Sequence, residues 1–454
     1  MLTTKLTRWA LVLVAGVVIA SACSGEDAAT GIPGLGSASP GVPGISETDS
    51  PPTVISVASP EPTSTQEIED KEESAFAVPT GPVELTALDG AELAAAKRHQ
   101  LSYNWFTDFN HRSVDLSQIT TLLPRDRIKP VDAPEFGIAS EAPPYMRDRE
   151  PVIVVEVDGD ARAYPLAILM WQEIVNDTVG GMPVTVTFCP LCNTAITFSR
   201  VVDGFELTFG TSGNLQNSDL VMWDRLTQSW WQQATGEAIV GSLTGKRLSI
   251  LPSPIMAWET FQAEYPQGKV LLREFDEYGQ AIRPYHEPPY AGYDSVDAAP
   301  FAFDGVVDGR LPANARVLTV KTGSHSVAYS WSLIAERIVL NDSVGDEPVV
   351  VFFSPETLSA FRDRRGEDVV SGSTSVFFRE VDGRTLTFRA QDGKMVDAET
   401  GSVWSVAGRA VSGPLVGSVL TQVIHQNHFW FAWAVFEPGT ELRSEIADIT
   451  GPVG

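Results

Sequence analysis

The sequence predicts a mainly β chain with a few short helices (α+β), built from two tandem homologous β-rich domains in a pseudo-twofold relation. Three observations predict it. Short runs of β-branched and aromatic residues recur, separated by Asp-Gly and Gly-Gly pairs, which is the pattern of strands joined by tight turns. Helical periodicity is confined to a few short stretches. The chain also aligns with itself: VIVVEVDGDARAYPLAILMWQEIVN at residues 152–176 matches VLTVKTGSHSVAYSWSLIAERIVLN at residues 317–341 without a gap.

The match continues beyond that stretch. Pro183-Val184 meets Pro348-Val349, Val202-Asp203-Gly204 meets Val381-Asp382-Gly383, and Trp231 meets Trp404. Trp258 with Phe261 meets Trp433 with Phe436. In the first copy, strands are expected at 152–157, 184–188, 195–198 and 206–209. A helix is expected at 165–175, where Pro165 suits the first turn, with its counterpart at 332–338. A second helix is expected at 253–265, started by Pro254 and stopped by Pro266-Gln267-Gly268. The organisation that follows is a lead-in segment at 83–150 packed on repeat 1 (151–272), a connecting segment at 273–314 rich in Pro, Gly, Tyr and Asp, repeat 2 (315–441), and a tail at 442–454.

Ahead of these lies a targeting segment. Lys5 and Arg8 precede an apolar run at 10–20, too short to cross a bilayer as a helix and of signal-peptide length. Ala20-Ser21-Ala22-Cys23 resembles the lipobox at which a bacterial signal peptide (1–22) is cut and the new terminal cysteine acylated. Cys23 is then a lipid anchor, and the protein is expected outside the cytoplasm, held to the membrane of the cell envelope. An ordinary secretory cut would leave Cys23 as a stray thiol, which is unusual in an exported chain. Residues 24–82, dominated by Gly, Pro, Ser, Thr and acidic residues, read as a disordered tether. A formal charge of -26 argues against nucleic acid and against electrostatic adhesion to anionic lipid. Anchoring therefore rests on acylation; protein partners are not indicated.

The copies differ where chemistry is to be sought. Strand 184–188 runs into Cys189-Pro190-Leu191-Cys192, and the second copy has Ser354-Pro355-Glu356-Thr357 at that place. The proline persists and both sulfurs are gone, so the cysteines are dispensable for the turn. Three readings stand. Two thiolates on one tight turn suit a soft metal such as copper or zinc, with further ligands sought at His428 first, then His425 or Met222; His286 is a remoter candidate by type. The pair can instead be a structural disulfide of an oxidising compartment. Thiol redox chemistry comes third, because residues 193–200 read as a strand and not as the helix whose amino terminus would acidify Cys189.

Residues 209–241 form another candidate surface. A polar loop with Asn217 and Asp219, followed by Arg225 and Trp231, mixes aromatic and polar groups as a ligand pocket does. The plainer reading is turn chemistry for the Asn and Asp and core filling for the tryptophan. His99, His111 and His325 show no partner pattern.

FCPLCNTAITF, FGTSGNLQNSDLVMWDR, Trp230-Trp231 and the closing HFWFAWAVF together resemble the bacterial family known as domain of unknown function 3179, over about residues 123–441. The resemblance implies a family of unassigned activity. No nucleophile with its base, helical His-Glu motif or phosphate loop is recognisable, so a binding or metal-handling role is favoured over catalysis.

Overall fold

The computed structural model describes residues 80–452, so Cys23, the apolar run and most of the tether lie outside the described residues. The described residues all fall within one compact unit. The chain is mainly β, with twenty-nine strands and five α-helices among the described residues. No helix among them is long and apolar enough to cross a membrane.

The lead-in contributes a helix that periodicity did not foretell, Gly90–Tyr103. Its buried face is only Ala95, Ala96 and His99, too small to read as an apolar stripe. Asn104 ends it in the left-handed conformation at φ 54°, returning its N–H to the His99 carbonyl. What fixes the helix is tertiary. His99 sets its ring edge-on to Trp230 with centroids 4.7 Å apart, beside Phe109, while Trp105 packs on Trp223 and Trp230.

Two β-rich segments follow, and their elements succeed one another in the same order. In the first, strands Pro151–Val157 and Asp160–Pro165 form a hairpin, the helix Leu166–Gln172 crosses over, and Ile174–Val179, Met182–Cys189 and Thr194–Ser199 form an antiparallel meander. The second runs through Arg316–Thr322, His325–Ser330, helix Trp331–Arg337, Val339–Val344, Glu347–Ser354 and Ser373–Phe378. Each ends alike. Ile255–Ala257 pairs antiparallel to the first strand of its segment and leads into helix Trp258–Glu264, as His425–Phe429 does before helix Trp430–Ala434. Lys269–Leu271 and Glu441–Arg443 then each add a parallel strand.

Two expected helices are shortened by this pairing. The stretch at 253–265 is helical only from Trp258, because 255–257 are drawn into a ladder with Ile153, Val152 and Pro151. The stretch at 165–175 stops at Gln172, since Glu173 takes φ 57° and the chain turns into the next strand.

Buried polar groups recur at equivalent places. Tyr164 donates to Asp177 at 2.5 Å and Tyr329 to Asp342 at 2.9 Å. Asn176 bonds both backbone groups of Phe209, at 2.8 and 3.0 Å, and Asn341 does the same to Phe388. Asp224 gathers Thr227 and the Trp231 indole as Asp397 gathers Thr400 and the Trp404 indole. An amide that satisfies both polar groups of a buried residue pins one strand to the next without a ladder.

The core of the first segment is shared across the chain. Phe361, Phe429 and Phe431 of the second segment and Tyr285 of the connection belong to the same apolar cluster as Phe188, Phe198 and the two cysteines.

Two consequences are measurable. Asn176→Ala strands the buried N–H and C=O of Phe209 and is expected to cost about 2–3 kcal/mol in urea unfolding; a cost within 0.5 kcal/mol would show the bonds are idle. Burial also pushes His99 down to about 4 from its usual value near 6.5, with both ring nitrogens unpartnered. The unfolded chain therefore gains a proton that the folded one refuses. The stability held by neutral His99 is full above pH 6.5 and declines by at most about 3 kcal/mol as pH falls toward 4. The melting temperature of His99→Phe should accordingly fall less over that interval than that of the parent; parallel declines would mean the ring is not buried.

Candidate metal centre

Cys189 closes the strand Met182–Cys189 and pairs with Thr194, the first residue of the next strand. Between them Pro190 and Leu191 make a β-turn, with Cys192 N–H reaching the Cys189 carbonyl at 3.2 Å and Asn193 left-handed at φ 51°. Proline suits the first central position of such a turn and asparagine tolerates the left-handed one. The residues after the pair are a strand, as expected, so no helix dipole acts on Cys189.

The third group arrives on a hairpin. Phe209–Gln216 and Asp219–Asp224 pair antiparallel, and Asn217-Ser218 form a two-residue loop with both φ positive, at 51° and 71°. Asparagine accepts that geometry readily; a buried serine does so at a cost. The loop delivers Asp219 into the interior. The Sγ atoms of Cys189 and Cys192 and a carboxylate oxygen of Asp219 all lie within 4.8 Å of one another, and all three residues are buried. Cys189 Sγ is 3.9 Å from the Ser218 carbonyl. Asp219 Oδ2 accepts from Ala234 N–H at 2.9 Å and Gln232 Nε2 at 3.1 Å, while Oδ1 has no partner.

Glu173 was not foreseen. Its left-handed backbone ends the crossover helix, and its carbonyl accepts the Phe188 N–H at 2.8 Å, one residue before Cys189. Burial and the charge of Asp219 push its carboxyl up to about 8. Asp219 is pushed up to about 7 by burial, against the hydrogen bonds it accepts. Burial raises both thiols too, Cys192 the more, where contact with Cys189 adds to it. No guanidinium or ammonium is among the chief influences on any of the four. Four buried acids thus lie together, with no cation of the described residues among the chief influences on them.

The second segment shows what this place is without chemistry. Ile338 stands where Glu173 does, with the same left-handed backbone and the same bond to the strand, Phe353 N–H to its carbonyl at 2.8 Å. Ser354 and Thr357 replace the cysteines, and Thr357 bonds Ser373 at 2.7 Å. The equivalent hairpin, Phe388–Gln391 with Lys394–Asp397, is too short to carry a counterpart of Asp219 inward. Comparison of Glu173 with Ile338 was the sequence signal for the missed residue.

The other candidates lie as follows. His428 comes to the edge of the turn, its Nδ1 2.8 Å from Thr194 Oγ1 and its Nε2 2.9 Å from Gln426 Oε1, and burial drives its pKa down to about 3. With both nitrogens engaged it supports the turn and stands outside the Cys–Cys–Asp group. His425 holds the Val423 carbonyl through Nδ1. Met222 packs in the core opposite Thr211 and Trp231. Arg225 pairs with Asp132 at 3.0 Å, Trp231 with Asp224, and Asn217 forms the hairpin tip. His286 is exposed beside Glu287.

The cluster is roofed from elsewhere in the chain. Phe429 N–H donates to the Cys192 carbonyl at 2.8 Å, and the Tyr293 ring lies on Phe429 with centroids 5.9 Å apart. Tyr290 joins Glu173 and Leu191 around a small cavity of about 60 Å³. A family model described as "Protein of unknown function (DUF3179)" matches residues 125–440, which include every group named above. The chain belongs to this family. No curated protein and no solved structure matches it. The DUF3179 match runs through both β-rich segments and the connection between them, so the roofed site falls wholly inside the family region.

Proposed function

We propose that this DUF3179 protein binds a thiophilic metal ion through Cys189, Cys192 and Asp219, with zinc the better fit and copper the alternative. The observation that carries the reading is the grouping of three ligand atoms within 4.8 Å, all buried, with no basic side chain of the described residues among the chief influences on them. A cation resolves that arrangement, since it stabilises each thiolate and carboxylate that burial alone disfavours. Two sulfurs with an oxygen suit zinc; copper(I) prefers sulfur alone. Glu173 is the nearest further acid and stands ready as a fourth ligand or as a partner for bound water. Thiol–disulfide exchange is the weaker reading, because a strand-end cysteine with a raised pKa is a poor nucleophile.

The wider setting is proposed with it: an exported chain anchored through Cys23, whose two β-rich segments descend from one duplicated domain. Matching element order and the paired Tyr–Asp and Asn–backbone bonds support the duplication. The lipobox-like Ala20-Ser21-Ala22-Cys23 supports the anchor.

Two experiments test these readings. A chain begun at Asp70, which carries every core cluster, is purified under reducing conditions without chelator and its metal content measured. About one equivalent of zinc or copper is expected in the parent and under a tenth in a variant with Cys189→Ser and Cys192→Thr, the residues the second segment tolerates at these positions. A parent that stays empty after zinc and copper(I) are added back ends the metal proposal, and a mass two hydrogens lower would favour a disulfide instead. For the anchor, labelled palmitate fed to cells should enter the full chain and not Cys23→Ser, which should leave the membrane fraction; equal labelling would refute it.

A further inference from the structure

Away from the cysteines, a cleft of about 280 Å³ opens where the lead-in, the connecting segment and the second segment meet. Its walls carry three arginines from three distant parts of the chain: Arg147, Arg273 and Arg362. Arg147 and Arg362 share one carboxylate, Asp368, at 2.8 and 3.4 Å. Arg273 has none. Its guanidinium is half-buried, lies 4.2 Å from the Tyr145 ring centroid and 5.6 Å from that of Tyr285, and has no acceptor or ion pair among the described residues. The two rings hold the guanidinium by cation–π contact at the wall of the cleft, which Arg273 itself lines.

A second observation points the same way. Glu150 also lines the cleft, is buried to 3 % exposure, and its Oε2 has no hydrogen-bond partner; Arg147 Nε stands 3.7 Å off. Burial raises its pKa against the pull of Arg147 and Arg273. Its unpartnered oxygen is a hydrogen-bonding position in the cleft wall that no group of the described chain fills. Three arginines against the carboxylates of Glu150 and Asp368 leave an excess of basic groups at the cleft, in a chain of formal charge -26 where background attraction for anions is absent.

We infer that this cleft is an oxyanion site for a small carboxylate or phosphate-bearing molecule, with Arg273 as the principal clamp and Arg362 reaching it from the opposite wall. Bidentate recognition by a planar fork suits either group. The loop bearing Arg362 is held for this purpose: Leu358 N–H bonds the Arg149 carbonyl and Gly292 N–H the Arg362 carbonyl, both at 2.9 Å.

The test is isothermal titration of the chain begun at Asp70, at low ionic strength in Tris chloride, with inorganic phosphate and with succinate as separate probes. Saturable one-to-one binding of at least one probe is expected, and the tighter of the two tells which chemistry the site prefers. Arg273→Met should weaken it at least tenfold and Arg362→Met severalfold, whereas Arg310→Met, outside the cleft, should leave it unchanged; melting curves without ligand confirm that each variant is folded. Absence of saturable binding by either probe overturns the inference, as does unaltered binding in Arg273→Met. Should that variant not fold, unaltered binding in Arg362→Met overturns it equally.

Discussion

Glu173, Cys189, Cys192 and Asp219 are buried together, and no basic side chain of the described residues is among the chief influences on them. Ionising even one such group unaided is costly, so in a closed interior they stay protonated or share a cation. Much of the first segment is arranged around that constraint. The crossover helix stops in a left-handed residue that carries Glu173; the hairpin is extended and turned through a buried serine to bring in Asp219; an aromatic roof from the far end of the chain seals the place. The second segment lacks all four groups and keeps the scaffold, which separates what the fold requires from what the site adds.

The strand grammar was legible in the sequence because β-branched runs and Asp-Gly turns are local signals, and the turn at Cys189 was legible as a strand-to-strand connection for the same reason. Asp219 could be named as part of a polar loop, but its meeting with the cysteines depends on hairpin length, which no local pattern states. Glu173 has no motif of its own; only Ile338 opposite it marks it as unusual. Residues 255–257 looked helical beside Pro254 and became a strand through pairing with residues 151–153, a tertiary effect. The arginine cleft was illegible, since positions 147, 273 and 362 converge only after the chain has folded.

The two sites also differ in how the chain reaches them. The metal proposal concerns side chains of one segment beneath a roof, whereas the cleft has walls from three parts of the chain and opens outward. In the second segment the place of Cys-Pro-Leu-Cys is taken by the longer loop between Ser354 and Ser373, and that loop carries Arg362. One turn position thus carries the sulfurs in the first segment and a cleft arginine in the second.

The bond from Phe429 to the Cys192 carbonyl, with its neighbour between Thr194 and His428, joins residues more than 230 apart in sequence. The turn that holds the sulfurs is consequently completed by contacts of long sequence separation, which need the far end of the chain in place. A metal ion held there, as proposed, would lie beneath that strand and would leave when the strand lifts. Residence at the cysteines is then governed by the rate of a local unfolding event, so a ligand of ordinary affinity can behave as though trapped.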